Sequence, residues 1–412
     1  MHITILALGS TGDILPYTAL GKGLLDTGHR VRFITFENFK SRIIDLGMDF
    51  YPIQGDPRAL VSQSGQNMLS LARSFGSLAR AYARDLSAPE LLETNLIINQ
   101  LPGGLYGYDL AEKAGIPLIL ASVFPLAKTK TLPLMGFPGL PIPGYNRFTY
   151  TVGELIVWMM FQKVINEWRQ TVLDLMPVKN KEYFGSSKGA PVSILNGFSP
   201  SVVERPDDWG KDIHITGTWF PEDQHWRPPD ELLAFLDSGP PPIFIGFGSM
   251  PIKDTQKTTR IILEALKLTN QRAIIHKGWS DLGDQDLPEN VFRINYVPYE
   301  WLFPRMGMII HHGGSGTTAA SLRSGVPSCV VPFLFDQYYW GKRIAALGVG
   351  PAPIRFGKLG TAGLTKAIQE GLNNQDIRQK AEKLGQQIKS EDGVKSAVDI
   401  INAILDKYQP QG

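Results

Sequence analysis

Short runs rich in β-branched residues alternate with helical patterns, and this alternation occurs twice along the chain. In the first series, strands are predicted near residues 3–8, 31–35, 95–99, 117–121 and 193–196, and helices near 14–28, 37–46, 68–85, 107–115 and 153–175. In the second series, strands are predicted near 243–247, 272–276, 291–295, 307–310 and 328–331, and helices near 255–269, 315–324 and 337–347. Apolar strands separated by helices form parallel sheets that helices cover. The sequence therefore predicts an α/β protein with two doubly wound domains.

Two proline-rich stretches separate the two series. They run from Trp219 to Pro229 and from Gly239 to Pro242, where helices and sheet ladders are interrupted. At 412 residues the chain also exceeds what one hydrophobic core usually supports. We predict an N-terminal domain at 1–218, a linker at 219–242, a second domain at 243–390 and a C-terminal helix at 391–412 that packs back toward the first domain.

Composition excludes several classes of function. The 41 Lys and Arg residues nearly balance the 39 Asp and Glu residues, so a basic face for nucleic acid is not expected. The one cysteine, Cys329, lies in an apolar run, which predicts a buried thiol and no multi-cysteine metal site. The apolar run at 3–8 has no basic leader, and the longest uninterrupted apolar run, 155–161, is shorter than the roughly 20 residues that span a bilayer. A cytoplasmic location is therefore expected.

A glycine-rich turn follows the predicted strand at 307–310. Its sequence is His311-His312-Gly313-Gly314-Ser315-Gly316-Thr317-Thr318, and a helical pattern comes next. Glycines let the backbone approach a ligand, and helix N–H groups with their dipole favour a diphosphate. Ser315 and Thr317 add hydroxyl donors, and a histidine can donate to a phosphate oxygen. An ordinary helix cap is the alternative interpretation. Neighbouring residues of a strand point to opposite faces, so the two histidines do not predict a metal site.

The predicted strand at 328–331 leads to the pair Asp336-Gln337. A carboxylate beside an amide offers hydrogen-bond acceptors and donors at adjacent positions, which suits the vicinal hydroxyls of a sugar. Asp336 as a simple helix cap is the alternative.

Together these motifs resemble the donor-binding signature of the UDP-glycosyltransferase superfamily. The matching stretches are 295–298, 311–318, 325–327 and 336–337, and the similarity is densest in 291–350. Within the superfamily the chain is most similar to sterol 3-beta-glucosyltransferases and to bacterial natural-product glycosyltransferases. The resemblance implies the GT-B architecture, in which two Rossmann-like domains face each other across a cleft.

The resemblance also implies roles for donor-binding residues. Tyr296 would stack under the uracil, and the backbone of Val297 would read its edge. The diphosphate would be held by His312, Gly314, Gly316 and Thr317, with Ser249 as a further contact near the phosphates, and the sugar hydroxyls by Asp336 and Gln337. Ser315, a hydroxyl donor in the same turn, is counted with the donor-binding residues. Two positions depart from the plant pattern: Tyr299 stands where plant members usually carry glutamine, and Ala320 where many carry a ribose-binding glutamate.

The turn after the first strand, Gly9-Ser10-Thr11-Gly12-Asp13, carries the candidate base. It lacks the third glycine of a dinucleotide-binding loop. An aspartate on such a turn can take a proton from an attacking hydroxyl, or it can simply cap the helix. The resemblance implies the catalytic role for Asp13, since related enzymes carry this acid in Gly-Ser-x-Gly-Asp.

The acceptor region is predicted around the strand at 117–121 and the segment that follows it. Residues 132–150 are rich in proline and aromatic residues, and the run 152–168 is hydrophobic on most sides. That run is core, the lining of an apolar acceptor pocket, or a membrane-docking surface. We predict that Ser10, Phe124 and Trp158 contact the acceptor.

These expectations combine into an inverting transfer of a hexose, glucose from UDP-glucose, to the hydroxyl of a sterol-like or other natural-product acceptor. No cofactor and no metal are expected, because Asp284-Gln285-Asp286, which matches a metal-binding Asp-x-Asp motif, lies in a polar loop typical of a solvated turn. A dTDP-sugar donor stays open. The alternative functions are a nucleotide-sugar epimerase of the same architecture and a catalytically silent module that binds nucleotide sugar or lipid.

Overall fold

The computed structural model describes residues 1–55, 79–101, 105–179, 192–221, 226–334 and 336–408. The chain forms two compact units, one comprising Met1–Pro221 with Asp392–Gly412 and the other comprising Glu222–Glu391. Each unit is built around a sheet in which all paired strands are parallel. The α/β fold with two parallel-sheet domains is thus confirmed.

The first unit contains a sheet with strand order β3-β2-β1-β4-β5-β6-β7. Its strands are β1 (His2–Leu6), β2 (Arg30–Phe36), β3 (Asp49–Ile53), β4 (Leu96–Gln100), β5 (Leu118–Ser122), β6 (Ser193–Asn196) and β7 (Ile213–Ile215). Sequence patterns missed β3 and β7, which form the two edges of the sheet. β3 contains Pro52, which an edge tolerates but which weakens a strand pattern, and β7 is only three residues long.

Among its described residues before the linker, the first unit contains the helices α1 (Thr11–Asp26), α2 (Lys40–Asp45), α3 (Gly107–Ala114) and α4 (Tyr145–Thr171), and short 3-10 helices at Glu37–Phe39 and Pro89–Leu92. α4 begins at Tyr145 instead of near residue 153, because Gly144 adopts a left-handed conformation and starts the helix within the proline- and aromatic-rich segment 132–150. The predicted helix at 68–85 falls partly outside the described residues, and its described part, 79–85, is helical.

The second unit contains a sheet with strand order β10-β9-β8-β11-β12. Its strands are β8 (Ile243–Gly246), β9 (Ala273–His276), β10 (Val291–Ile294), β11 (Met308–His311) and β12 (Ser328–Val330). Its helices are α5 (Asp230–Asp237), α6 (Thr255–Thr269), α7 (Tyr299–Leu302), α8 (Ser315–Ser324), α9 (Asp336–Leu347), α10 (Thr361–Asn373) and α11 (Gln375–Lys389), with 3-10 helices at Phe303–Arg305 and Phe356–Lys358. Cys329, in β12, is a buried free thiol as predicted.

The last helix, α12 (Gly393–Tyr408), packs on α1 and completes the first unit. The helices touch closely at Gly23, where a Cβ atom would overlap the side chain of Val394. The His29 ring nitrogen Nε2 lies 2.7 Å from Asn402 Oδ1 across the same contact. No helix in the described part of the chain combines the length and apolarity needed to cross a membrane.

Candidate active site

The loop from β1 to α1 brings Ser10 and Asp13 together. Ser10 is the N-cap residue of α1, and its backbone N–H and its hydroxyl each donate to Asp13 Oδ2 at 2.8 Å. Gly9 has a φ of 145°, and a Cβ atom there would lie 2.5 Å from the same carboxylate oxygen. The turn therefore needs a glycine in order to hold Asp13 against the helix start.

Asp13 thus has the geometry of a capping residue, which is the alternative to a catalytic role. Only one of its carboxylate oxygens, Oδ2, makes the capping hydrogen bonds. Among the described residues, Oδ1 has no hydrogen-bond partner. Burial raises the pKa of the half-buried carboxyl, and the two hydrogen bonds from Ser10 partly oppose that rise. A higher pKa makes the carboxylate a stronger base, so capping and proton transfer are compatible at this residue.

Gln100, at the end of β4, holds the loop between β1 and α1 in place through hydrogen bonds. The backbone N–H of Leu8 donates to Gln100 Oε1 at 2.6 Å, and Gln100 Nε2 makes a long hydrogen bond of 3.5 Å to the carbonyl oxygen of Asp13. Sequence reasoning did not single out Gln100. The sequence pattern that could have pointed to Gln100 is an amide side chain at the end of a buried strand. Burying an amide without hydrogen-bond partners costs free energy, so such a residue is expected to bond to its surroundings.

The predicted acceptor residues occupy different environments. The Ser10 hydroxyl donates to the candidate base, so this residue orients Asp13. Phe124 is half-buried just after β5, where Ser122 Oγ bonds to both its N–H (3.3 Å) and its carbonyl oxygen (2.7 Å). Trp158 is only 4% exposed, and its Nε1–H donates to the Lys179 carbonyl oxygen at 3.0 Å. The structure places Trp158 in the interior, which fits the core interpretation of that residue.

A second strand–turn–helix junction joins β11 to α8 in the other unit. Gly313 has a φ of 93° and packs closely against Val330 and the backbone of Gln337. Gly314 is the N-cap of α8, with no side-chain cap hydrogen bond and no acidic residue in the first turn. The N–H groups at this helix start therefore face no carboxylate from the first turn, which suits an external anion.

The imidazole of His312 is held between two glycines at this junction. A Cβ atom at Gly248 would lie 2.9 Å from its Cε1, and one at Gly314 would lie 2.6 Å from its Nε2. Nδ1 is buried without a hydrogen-bond partner in the part of the chain that the structure describes. Burial, with a smaller contribution from His276, lowers the pKa of His312 to about 4. The ring is therefore neutral near pH 7 and carries one N–H that can donate to a phosphate oxygen.

His311 supports the turn from the interior. It is fully buried, its Nδ1 accepts the Gly313 N–H at 3.1 Å, and its Nε2 lies 3.5 Å from Ser321 Oγ. Burial and the neighbouring His312 lower the pKa of His311 to about 3. The adjacent histidines therefore have different environments: His311 shapes the loop, while His312 lies against its glycines.

Asp336 and Gln337 lie together at the start of α9, close to α8. Ser315 Oγ donates to Asp336 Oδ2 at 3.1 Å and accepts the Nε1–H of Trp340 at 3.0 Å. Gln337 is only 3% exposed, and its side chain is bonded to its surroundings. Its Oε1 accepts the backbone N–H groups of residues 333 and 334 at 2.8 and 3.3 Å, and its Nε2 lies 3.1 Å from the sulfur of Met250.

The remaining predicted donor residues follow the ends of β8 and β10. Ser249 is half-buried directly after the glycine that contacts His312, Tyr296 is 51% exposed, and Val297 belongs to the core. Tyr299, the departure from the plant pattern, is half-buried, stacks on Phe303 with ring centroids 4.3 Å apart, and hydrogen-bonds to Thr317. Its role here is to support the α8 turn.

The motif at 284–286 is exposed to solvent, in agreement with a surface turn. Asp284 pairs with Arg293 at 2.7 Å, and this pairing lowers the pKa of the carboxyl group. Within the described residues, no cluster of three or more histidine, cysteine or acidic side chains is arranged to hold a metal ion.

Comparisons with known proteins identify the family. Residues 3–90 match the glycosyltransferase family 28 N-terminal domain, and residues 260–404 match the C-terminal domain of proteins like erythromycin biosynthesis protein CIII. The chain is 36% identical to a sterol 3-beta-glucosyltransferase of Arabidopsis thaliana, with 100% of this chain and 69% of that protein covered. The chain belongs to this glycosyltransferase family. A sterol 3-beta-glucosyltransferase of Aspergillus terreus is 37% identical over 97% of the chain, which spans 30% of that longer protein.

Solved structures establish the fold of this glycosyltransferase. The glycosyltransferase of kitacinnamycin has a TM-score of 0.73 at 19% identity and covers 98% of this chain and 99% of its own. The calicheamicin glycosyltransferase CalG4 has a TM-score of 0.68 at 18% identity, with 99% of both chains covered. The GT-B fold expected from the sequence is confirmed.

Proposed function

We propose that this enzyme is an inverting glycosyltransferase that moves glucose from UDP-glucose to the hydroxyl of a sterol-like acceptor. The observation that carries this proposal is the start of α8, where a glycine cap and a neutral His312 lie beside N–H groups with no acid in the first turn. Such a helix start attracts a diphosphate. The names of the curated relatives support glucose as the sugar and a sterol as the acceptor class.

The donor roles follow from these surroundings. The exposed ring of Tyr296 stacks on the uracil, and the Val297 backbone reads its edge. The backbone at 314–317, the side chains of Ser249 and Thr317 and the imidazole N–H of His312 hold the diphosphate. Asp336 binds sugar hydroxyls. The side-chain oxygen of Gln337 already accepts two backbone N–H groups, and one hydrogen of its NH₂ group points to the sulfur of Met250. The side chain therefore contributes to sugar binding through the other NH₂ hydrogen.

Asp13 acts as the general base of this reaction. Its carboxylate takes the proton of the acceptor hydroxyl while the hydroxyl oxygen attacks the anomeric carbon from the face opposite the diphosphate. The bond from that carbon to the diphosphate oxygen breaks, and UDP leaves with the electron pair, so the configuration inverts. Negative charge grows on the leaving diphosphate, where the α8 dipole and His312 stabilise it. This stabilisation needs no metal ion.

The lipophilic acceptor also suggests a peripheral contact with a membrane. One side of α4 exposes large apolar side chains at 148, 155, 156, 159 and 160, which recur with helical spacing. Arg147 and Lys163 are exposed near the two ends of this stretch. Apolar side chains that insert below lipid headgroups, with cations at the headgroup level, are typical of helices lying on anionic bilayers. We propose that this face of α4 rests on the membrane that holds the acceptor.

The membrane contact can be tested by flotation with vesicles that contain anionic lipid. The double variant Leu155→Glu/Met159→Glu should stay in the unbound fraction but keep its turnover with acceptor dispersed in detergent. Loss of turnover with dispersed acceptor would assign this face to the acceptor pocket instead, and unchanged flotation would exclude a docking role.

The proposed reaction can be tested by mass spectrometry of the products. The enzyme is incubated with EDTA, with UDP-glucose or dTDP-glucose, and with sterols, hopanoids, flavonoids or macrolide aglycones. A gain of one hexose on a sterol with UDP-glucose, and a β-linkage by NMR, are expected. Conversion of UDP-glucose into an epimer without acceptor would support an epimerase, and an untouched donor would support a binding module.

A further inference from the structure

Three side chains at the junction of α8 and α9 form a chain of hydrogen bonds. Trp340, 3% exposed, donates its Nε1–H to Ser315 Oγ at 3.0 Å, and Ser315 Oγ donates to Asp336 Oδ2 at 3.1 Å. Ser315 is the first residue of α8, and Asp336 is the first residue of α9. The chain therefore connects the starts of the two helices that carry the proposed diphosphate and sugar contacts.

The direction of these hydrogen bonds follows from the chemistry of the groups. An indole N–H can only donate, and an ionised carboxylate can only accept. The hydroxyl between them must accept from Trp340 and give its single proton to Asp336. That proton is then unavailable to a phosphate oxygen, although a serine at the start of a helix is an obvious candidate for a phosphate contact.

We infer that Ser315 and Trp340 are positioning residues that orient the Asp336 carboxylate toward the sugar of the donor. This inference rests on the proposed function of Asp336 in binding sugar hydroxyls. A hydrogen bond to one carboxylate oxygen restricts rotation of the group, and a bond to an ionised acceptor is stronger than one between neutral groups. Ser315 and Trp340 therefore act on recognition of the hexose, while recognition of the nucleotide diphosphate belongs to the rest of the turn.

The inference is tested by measuring the affinity for UDP and for UDP-glucose in parallel. In Ser315→Ala, UDP should bind within about two-fold of wild type, while UDP-glucose affinity and kcat/KM should fall about ten-fold, as expected for loss of a bond to a charged group. Trp340→Phe, which keeps an aromatic ring, should shift the same quantities in the same direction by a smaller factor. Ser315→Thr retains a hydroxyl and should restore most of the activity.

Matched controls separate positioning from folding defects. Trp209→Phe changes a buried tryptophan of the other unit whose Nε1 has no partner in the described part of the chain, and Ser390→Ala changes an exposed serine. Both should bind UDP and UDP-glucose like wild type. Equal losses for UDP and UDP-glucose in Ser315→Ala would instead mean a phosphate contact, and no loss for either ligand would overturn the inference.

A double-mutant cycle completes the test. In an Asp336→Ala background, Ser315→Ala should have no further effect on UDP-glucose, because the group it orients is gone. Additive losses would refute the positioning role while leaving the proposed function intact. An Asp336→Ala variant that handles UDP-glucose like wild type would refute the proposed sugar contact itself.

Discussion

The β1–α1 and β11–α8 junctions have the same order of elements, but different chemical groups lie at the start of the helix. Each passes from a buried strand through a glycine with positive φ to a helix. In α1 the third helical residue is Asp13, whose carboxylate accepts the N–H of the cap residue. In α8 the third residue is Thr317, the cap is a glycine, and the first turn contains no acid. The N-terminus of α1 thus binds the Asp13 carboxylate of the same helix, whereas the N-terminus of α8 suits the anionic group of a ligand.

Burial shifts the proton affinities at the two junctions in opposite directions for the same reason. It disfavours a charged group, so it raises the pKa of the Asp13 carboxyl and lowers the pKa of His312. The first junction gains a stronger base, and the second keeps an uncharged hydrogen-bond donor. In the proposed function, a similar backbone serves proton transfer at one junction and diphosphate binding at the other, and the two differ in the cap residue and in the side chain at the third position of the helix.

The largest effect is expected from Asp13→Asn. Asparagine can still accept the Ser10 N–H but cannot take a proton, so kcat should fall about 10²-fold to 10⁴-fold. UDP affinity should stay within two-fold, because the base acts in the transition state. UDP release and product mass are measured alongside Asp26→Asn, an exposed aspartate of the same helix. Full turnover in Asp13→Asn would remove this residue from the mechanism.

The second largest effect is expected when a carboxylate is introduced into the first turn of α8. Thr317→Asp places an acid at the helix position that Asp13 holds in α1, where it can accept cap N–H groups and repel a diphosphate. UDP affinity should fall about 100-fold, the order expected from charge repulsion in a partly buried site. Calorimetry with the neutral, similarly sized Thr317→Asn as control separates charge from lost packing. Equal affinity in Thr317→Asp and Thr317→Asn would contradict an anion site at α8.

A smaller effect is expected from Gly314→Ala. The added methyl group would lie 2.6 Å from His312 Nε2 and must displace the imidazole, so UDP affinity should fall about ten-fold, which corresponds to one lost hydrogen bond to a charged ligand. Gly363→Ala is the matched control, since its Cβ would meet nothing within 4 Å. UDP binding that is identical in both variants would show that His312 does not contact the diphosphate.

The smallest effect concerns pH. Asp13 must be ionised to act, and its pKa is raised, so kcat should decline toward low pH at a higher pH than an ordinary carboxyl group would cause. The affinity for UDP-glucose, whose diphosphate has no group that titrates in this range, should be flat between pH 6 and 8, since the pKa of His312 is about 4. Ser10→Ala removes a bond that favours the charged form of Asp13, so the decline should shift upward and cost a few-fold in kcat at pH 6. An unshifted profile would argue against Asp13 as the titrating group.

The sequence predicts secondary-structure elements well where their residues are buried, and poorly at the edge of a sheet and at helix boundaries. The central strands β1, β4, β8 and β11 are almost entirely buried, and the sequence places them to within a residue or two. The edge strand β3 was missed because it contains a proline and its first residues are only partly buried. The chain after residue 360 forms three helices, α10, α11 and α12. Asn374, whose side chain caps α11, separates the first two, and residues 390–392 separate the last two.

Candidate site residues in local motifs can be proposed from the sequence, whereas the residues that pack against them cannot. Asp13 and His312 stand beside glycines in recognisable turns. Gly248 and Trp340 are far from their partners along the chain, and only tertiary packing brings them to His312 and Ser315. Gln337 was expected to bind sugar because of its residue type, but its side chain also satisfies N–H groups of its own loop, a demand that no residue pattern reveals.

The packing of α12 on α1 determines when the first unit can become complete during synthesis. Its sheet and α1 are made early, but α12 leaves the ribosome only after residues 222–391 have been translated. The unit that comes second in sequence can therefore finish folding before the first one does. Until then, the surface of α1 around Gly23 lacks the helix that covers it. A stop codon before residue 393 would thus leave the first unit, rather than the second, without its last element.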